Sequence, residues 1–173
     1  MKAHRPRTTS PAGMIVPECV PGSRSVVIER HRPTRFAIPY HQHASVEINF
    51  LSGCSLSYDF DQQRVKAADQ HLTLFWGAVP HSVAAVEGDG EIMNVYVALS
   101  EFLSWKLPDL FVRDVIAGRA VCNPEPDPTD PHVFARWADE LCAGGTSVQR
   151  LVYDEVETRV RRLAVTGWRA LNK

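Results

Sequence analysis

Apolar and polar positions alternate in short runs through the first hundred residues, and the period then lengthens. Ser25 to Glu29, Ser45 to Leu51, Ser55 to Phe60, Gln63 to Lys66, His71 to Trp76, Ser82 to Val86 and Ile92 to Leu99 each read as a β-type run bounded by turn residues. Short strands at that rhythm predict an antiparallel meander or jelly roll, closed as a double-stranded β-helix. Gly53 is expected to turn one hairpin and Gly88-Asp89-Gly90 another, because glycine accepts positive φ.

Beyond Ser100 the spacing is helical. Ser100 to Trp105 reads as a helical turn, and Pro108 to Ala117 as a helix stopped by Gly118. Four prolines from Asn123 to Pro131 exclude helix or central strand and mark a connector. Asp130 is the expected N-cap of the next helix, with Pro131 at its first position and Gly144-Gly145 at its end. Thr146 and Gln149 have capping-box spacing, and Val148, Leu151, Val152, Val156, Val160 and Leu163 form one apolar stripe up to Gly167. The predicted fold is mainly β with C-terminal helices, a barrel followed by an antiparallel helical hairpin. The stripe must be covered by the barrel or by a second copy of the chain, and both fates stay open at this level. Its opposite face, with Asp154, Glu155, Glu157, Arg159, Arg161 and Arg162, is a solvated one.

The expected organisation is a flexible Pro-containing arm over 1–23, a barrel over 24–122 with short helices after residue 100, a connector over 123–131 and a helical tail over 132–173. A chain of 173 residues with 45% hydrophobic content forms one sizeable core. Its net charge of −1 provides no electrostatic footprint for nucleic acid. Cys19, Cys54, Cys122 and Cys142 lack C-x-x-C spacing, so reduced thiols are expected rather than a zinc ribbon or redox motif. No leader-type apolar region and no stretch approaching ~18 apolar residues is present, so a soluble cytoplasmic protein is expected.

The chemistry concentrates in His41-x-His43-x3-Glu47 and the later Pro80-His81. On one strand, His41, His43 and Glu47 would share a face while Val46, Ile48 and Phe50 take the other. Two His at i and i+2 stand roughly 6.8 Å apart at Cα, from two rises of about 3.4 Å, and their rings can converge on one ion. Glu47 lies too far along a flat strand and needs a curl or bulge to join them. His81, after a second apolar run and a turn, supplies a third nitrogen. The bland reading of the stripe is the wet face of an antiparallel strand. Tyr40, Asn49, Trp76, Asn94 and Tyr96 are candidate ligand contacts, the aromatics for an apolar ring face and the amides for hydroxyls, although aromatics also fill small β cores. His4, His31, His71 and His132 have no spacing that recommends them, and no phosphate loop or Ser-His-Asp order occurs.

With barrel, connector and helical tail in that order, the chain resembles the effector-binding part of AraC-family transcription regulators. The resemblance runs from about His41 to the C-terminus through His71 to Trp76 with Pro80-His81, Phe102 to Trp105 with Leu107, Arg136-Trp137 with Glu140-Leu141, and Leu163 to Trp168 with Asn172-Lys173. It implies a barrel that binds a small effector, often a sugar, a helical tail that mediates homodimerisation, and DNA binding through a separate domain expected to lie outside this chain. His41, His43, Glu47 and His81 also resemble the metal set of the wider cupin superfamily. That likeness implies a divalent transition metal, zinc or nickel, although regulators of this type generally require no cofactor. The rival reading is a metal-dependent cupin enzyme, a dioxygenase or sugar isomerase; a weaker one is a storage or dimerisation module.

Overall fold

A computed structural model describes residues 22–32, 38–61 and 63–171. The expected arm therefore lies outside the described residues except at its last two positions. The strands are β1 (Val26–His31), β2 (Ile38–His41), β3 (Ser45–Phe60), β4 (Gln63–Ala67), β5 (Leu72–Trp76), β6 (His81–Ala98), β7 (Val121–Cys122) and β8 (Arg169–Ala170). The helices are α1 (Leu99–Ser104), α2 (Asp109–Ile116), α3 (Asp130–Ala143) and α4 (Thr146–Thr166). Every pairing is antiparallel, in the order β1-β6-β3-β5-β7-β8, with β2 also on β6 and β4 also on β3.

Two expected hairpins do not form. Residues 45–60 and 81–98 are each one continuous strand, paired along nearly their whole length. Gly53 does have positive φ, +76°, but it sits in a bulge where the register jumps between Ser52 and Cys54. A glycine in that conformation serves a bulge as well as a turn, and the local sequence does not separate the two. The backbones touch there: a Cβ on Gly90 would lie 1.9 Å from the Ser52 carbonyl oxygen.

The bulge resets alternation. Before it Glu47, Asn49 and Leu51 share one side of β3; after it Cys54, Leu56, Tyr58 and Phe60 do, joined by Phe75, Val83 and Ile92 in one buried cluster. On the other side, Val46, Ile48 and Phe50 pack with Phe134, Trp137, Val152, Val156, Val160 and Leu163 from the helices. The Phe50 and Phe134 rings stack at 4.9 Å. The stripe of α4 is thus buried within the chain, while Leu151, assigned to it from spacing, is 52% exposed.

The helix starts also differ from expectation. Thr129 caps α3 and Gly145 caps α4, neither start has a side-chain cap hydrogen bond, and the Thr146–Gln149 capping box is not made. Asp130 instead turns inward, fully buried, and accepts from Arg159 Nε and Nη2 at 2.6 Å each. Trp137 Nε1 donates to Glu155 at 2.6 Å further along the same pair of helices. A second seam ties α1 to α4: Trp105 Nε1 donates to Tyr153 Oη at 2.8 Å, and Tyr153 Oη donates to Glu101 at 2.7 Å.

Breaking the buried pair leaves one charge without a partner. Arg159→Ala is expected to lower the unfolding free energy by about 3–5 kcal/mol, read by urea denaturation. A loss below about 1 kcal/mol, typical of exposed pairs, contradicts this assignment.

Candidate functional site

The histidines converge, by a route other than strand alternation. β2 ends at His41, residues 42–44 form a turn, and β3 begins at Ser45, so His43 is not on the strand that carries His41 or Glu47. His41 and His81 are direct cross-strand partners, with ring centroids 4.3 Å apart. His43 comes within 5.5 Å of His81 and 6.1 Å of His41. One nitrogen from each ring lies within 4.8 Å of the others.

Backbone oxygens set the orientation of two rings. His41 Nδ1 lies 2.9 Å from Pro39 O and His81 Nδ1 lies 2.8 Å from Val79 O. A carbonyl oxygen only accepts, so each Nδ1 carries a proton, and in the neutral ring Nε2 is the nitrogen with a lone pair to offer. His43 is held differently: its N–H donates to Gly77 O at 2.8 Å, and Gly77 N–H donates to Ser45 O at 2.9 Å. Its ring covers Gly77 so closely that a Cβ there would sit 2.1 Å from His43 Cε1. Gly77 thus makes room for the His43 ring, a part that the sequence, where it reads as one residue of a turn, does not signal.

Glu47, 4% exposed, reaches His43 because the turn brings that ring to the strand, without the curl expected for β3. Its Oε2 lies 3.0 Å from His43 Nε2 and 3.8 Å from His81 Nε2. Burial pushes the carboxyl up, but the hydrogen bond from His43 and then the nearby His81 ring outweigh it and hold Glu47 well below the usual carboxylate range. Burial, then the nearby His81, lowers His41. Burial raises Tyr58 well above its ordinary value, and burial followed by the Glu47 charge raises Tyr96, so both remain neutral phenols.

Aromatic rings wall the group. Phe75, Phe60 and Tyr58 lie 4.9, 5.7 and 6.5 Å from the His81 ring, and Tyr96 lies 5.5 Å from His43. Tyr58 and Phe60 carried no sequence signal, because the Gly53 bulge decides which side they take. Asn49, Asn94 and Tyr96 share the side of Glu47, as their parity implied. Two expected contacts lie elsewhere. Tyr40 alternates with buried His41, is 49% exposed and donates to Asp61 O. Trp76 pairs with Val46 and packs on the helix-facing cluster.

The residues fit a transition metal in type. His43 Nδ1 and His81 Nε2 are buried without a hydrogen-bond partner, and imidazole nitrogens suit zinc or nickel. A tetrahedral ion with bonds of about 2.1 Å requires nitrogens roughly 3.4 Å apart, so the rings must close inward by about an ångström. Glu47 is engaged with His43 Nε2, which suits a carboxylate orienting a ligand ring as well as a fourth ligand.

Two outcomes follow. Gly77→Ala must displace the His43 ring and is expected to cost about 1–3 kcal/mol, whereas Gly145→Ala, whose Cβ meets nothing within 4 Å, is near neutral in thermal unfolding. Equal effects of the two contradict the cradle. The folded pKa of Glu47 is depressed, so its contribution is present above the unfolded value of about 4.3 and is lost as pH falls toward the folded value. Glu47→Gln is therefore expected to flatten the acid limb of stability against pH; an unchanged limb refutes the coupling.

No family model matches the chain. It is 26% identical over 129 residues, 74% of its own length, to the melibiose operon regulatory protein of Escherichia coli K12, and equally to that of Escherichia coli O6:H1. It spans 42% of the length of these curated relatives. In fold it is similar to the AraC-like transcriptional activator CuxR, with a TM-score of 0.51 and 9% identity over 84% of this chain and 54% of that one. ToxT of Vibrio cholerae O395 is similar at a TM-score of 0.50, with 11% identity over 83% of this chain and 60% of that one. By sequence the chain is thus similar to melibiose operon regulatory proteins, and its fold is similar to that of an AraC-like transcriptional activator.

Proposed function

We propose that the chain is the ligand-sensing and dimerisation part of an AraC-family regulator, with the sheet closed as a double-stranded β-helix around a small polar effector, a sugar or glycoside. One observation carries this reading: polar groups converge where a structural core would be apolar. Three histidines, Glu47 and Asn49 lie together, largely shielded from solvent, with Asn94 and Tyr96 on the same side. In this reading Asn49, Asn94 and Tyr96 contact the effector. His41, His43 and His81, with Glu47, hold zinc or nickel when a metal is bound, and that ion supplies a Lewis-acidic anchor for a ligand oxygen.

An effector shifts the balance between two arrangements only by its difference in affinity for them. The seam from Glu101 on α1, the helix that directly follows β6, to Tyr153 on α4 is a physical link by which the site biases the helices. The buried stripe of α4 is occupied within the chain, so self-association uses its outer face. There Leu151 and Val165 stand exposed, two heptads apart. DNA contact belongs to a separate domain. No described helix is long and apolar enough to cross a membrane, in keeping with a cytoplasmic regulator.

The test is metal analysis of the purified protein together with calorimetric titration of a panel of mono- and disaccharides, with and without chelator. Binding without turnover is expected. Metal-dependent consumption of a substrate overturns the sensor in favour of a cupin enzyme. For the dimer, Leu151→Glu with Val165→Glu is expected to shift sedimentation to the monomer; unchanged sedimentation of a dimer rejects this face.

A further inference from the structure

Deeper on the histidine side lies a row of polar groups that the metal set does not use. Thr73 on β5 pairs with Asn49 on β3, and Asn49 pairs with Asn94 on β6, so the three stand abreast on adjacent strands about 4.8 Å apart. Asn49 is 0% and Thr73 1% exposed. Both polar atoms of the Asn49 amide, Thr73 Oγ1 and Asn94 Oδ1 have no hydrogen-bond partner within the protein, while Asn94 Nδ2 donates to Tyr96 Oη at 3.3 Å. Each unpaired buried group costs about 1–3 kcal/mol, and Leu or Val would occupy these positions without that cost. One side of the row is bounded by Glu47, Phe75 and Tyr96, the other by Leu51 and Ile92.

We propose that Thr73, Asn49 and Asn94 form a recognition ledge for an uncharged, polyhydroxylated six-membered ring, reading hydroxyls on alternate carbons. Three features select that class. Amides and a hydroxyl both donate and accept, which matches alcohols that do the same. No Lys or Arg is among the buried polar residues described, and two carboxylates flank the row: Glu47, and Glu29, which pairs with Asn94 across β1–β6 and bonds Tyr96. An anionic ligand would be desolvated there without a counter-charge. Finally, hydroxyls on alternate carbons of a chair are separated by about one inter-strand spacing, and Phe75, next to Thr73 on the same face, offers an apolar surface for the ring's C–H bonds. Thr73 is thereby a specificity-determining residue that the motif spacing did not single out.

This inference rests on the sensor reading, and the test separates the two. The saccharide panel, extended with myo-inositol and with matched uronic and aldonic acids, is titrated into the wild-type chain, Thr73→Val and Asn49→Leu, and each ligand-free protein is melted. Thr73→Val is expected to melt at or above the wild-type temperature and to bind the preferred neutral ring at least tenfold more weakly; Asn49→Leu, where folded, loses binding. Unchanged affinity in Thr73→Val overturns the ledge and leaves the sensor standing, as does a wild-type chain that takes only the acids. A Thr73→Val chain that melts markedly lower also overturns it, since the row then satisfies itself with structural water. A wild-type chain that binds nothing in the panel removes both readings.

Discussion

The pairing of β3 with β6 through the glycine contact at Gly53 and Gly90 is the constraint on which the rest depends. With unbroken alternation the side that carries Glu47, Asn49 and Leu51 would continue through Ser55, Ser57 and Asp59, so β3 keeps one buried side along its length only because alternation is interrupted. The bulge at Gly53 performs that interruption, and only glycine fits, since a Cβ on Gly90 would collide with the Ser52 carbonyl oxygen. Because of it, Glu47 and Asn49 face the same region as Tyr58 and Phe60, and His81 at the far end of β6 returns beside His41.

Both sides of β3 are buried from Ser45 to Leu51, with opposite chemistry. The helix-facing side is conventional: Val46, Ile48 and Phe50 meet Phe134, Trp137 and the stripe of α4. The other side places a carboxylate, an amide and three imidazoles among aromatic rings, with several polar atoms unpaired. Apolar residues would give a more stable domain there. A chain that keeps this arrangement retains stability in its helix-facing core and gives up some of it on the polar side.

The seams between the helices are polar and buried rather than purely apolar. Asp130 with Arg159 and Glu101 with Tyr153 and Trp105 each need a defined geometry to remain satisfied. Such contacts tolerate little sliding.

Local periodicity in the sequence was enough to determine the β-rich first part, the helical second part, the stops at Gly118 and Gly167, and the sidedness of Glu47, Asn49, Asn94 and Tyr96. All of these depend on residues close together along the chain. The candidate ligands His41, His43, Glu47 and His81 stood out as residue types at suggestive intervals, but their geometry did not: the bend at 42–44, the Gly77 cradle and the β2–β6 pairing bring the rings together. Tertiary structure alone decided that Gly53 bulges rather than turns, that Asp130 pairs inward instead of capping α3, and that the stripe of α4 is covered by its own sheet. Each of these is a choice between two locally equivalent conformations. The competing energies come from residues tens of positions away, and no local pattern records them.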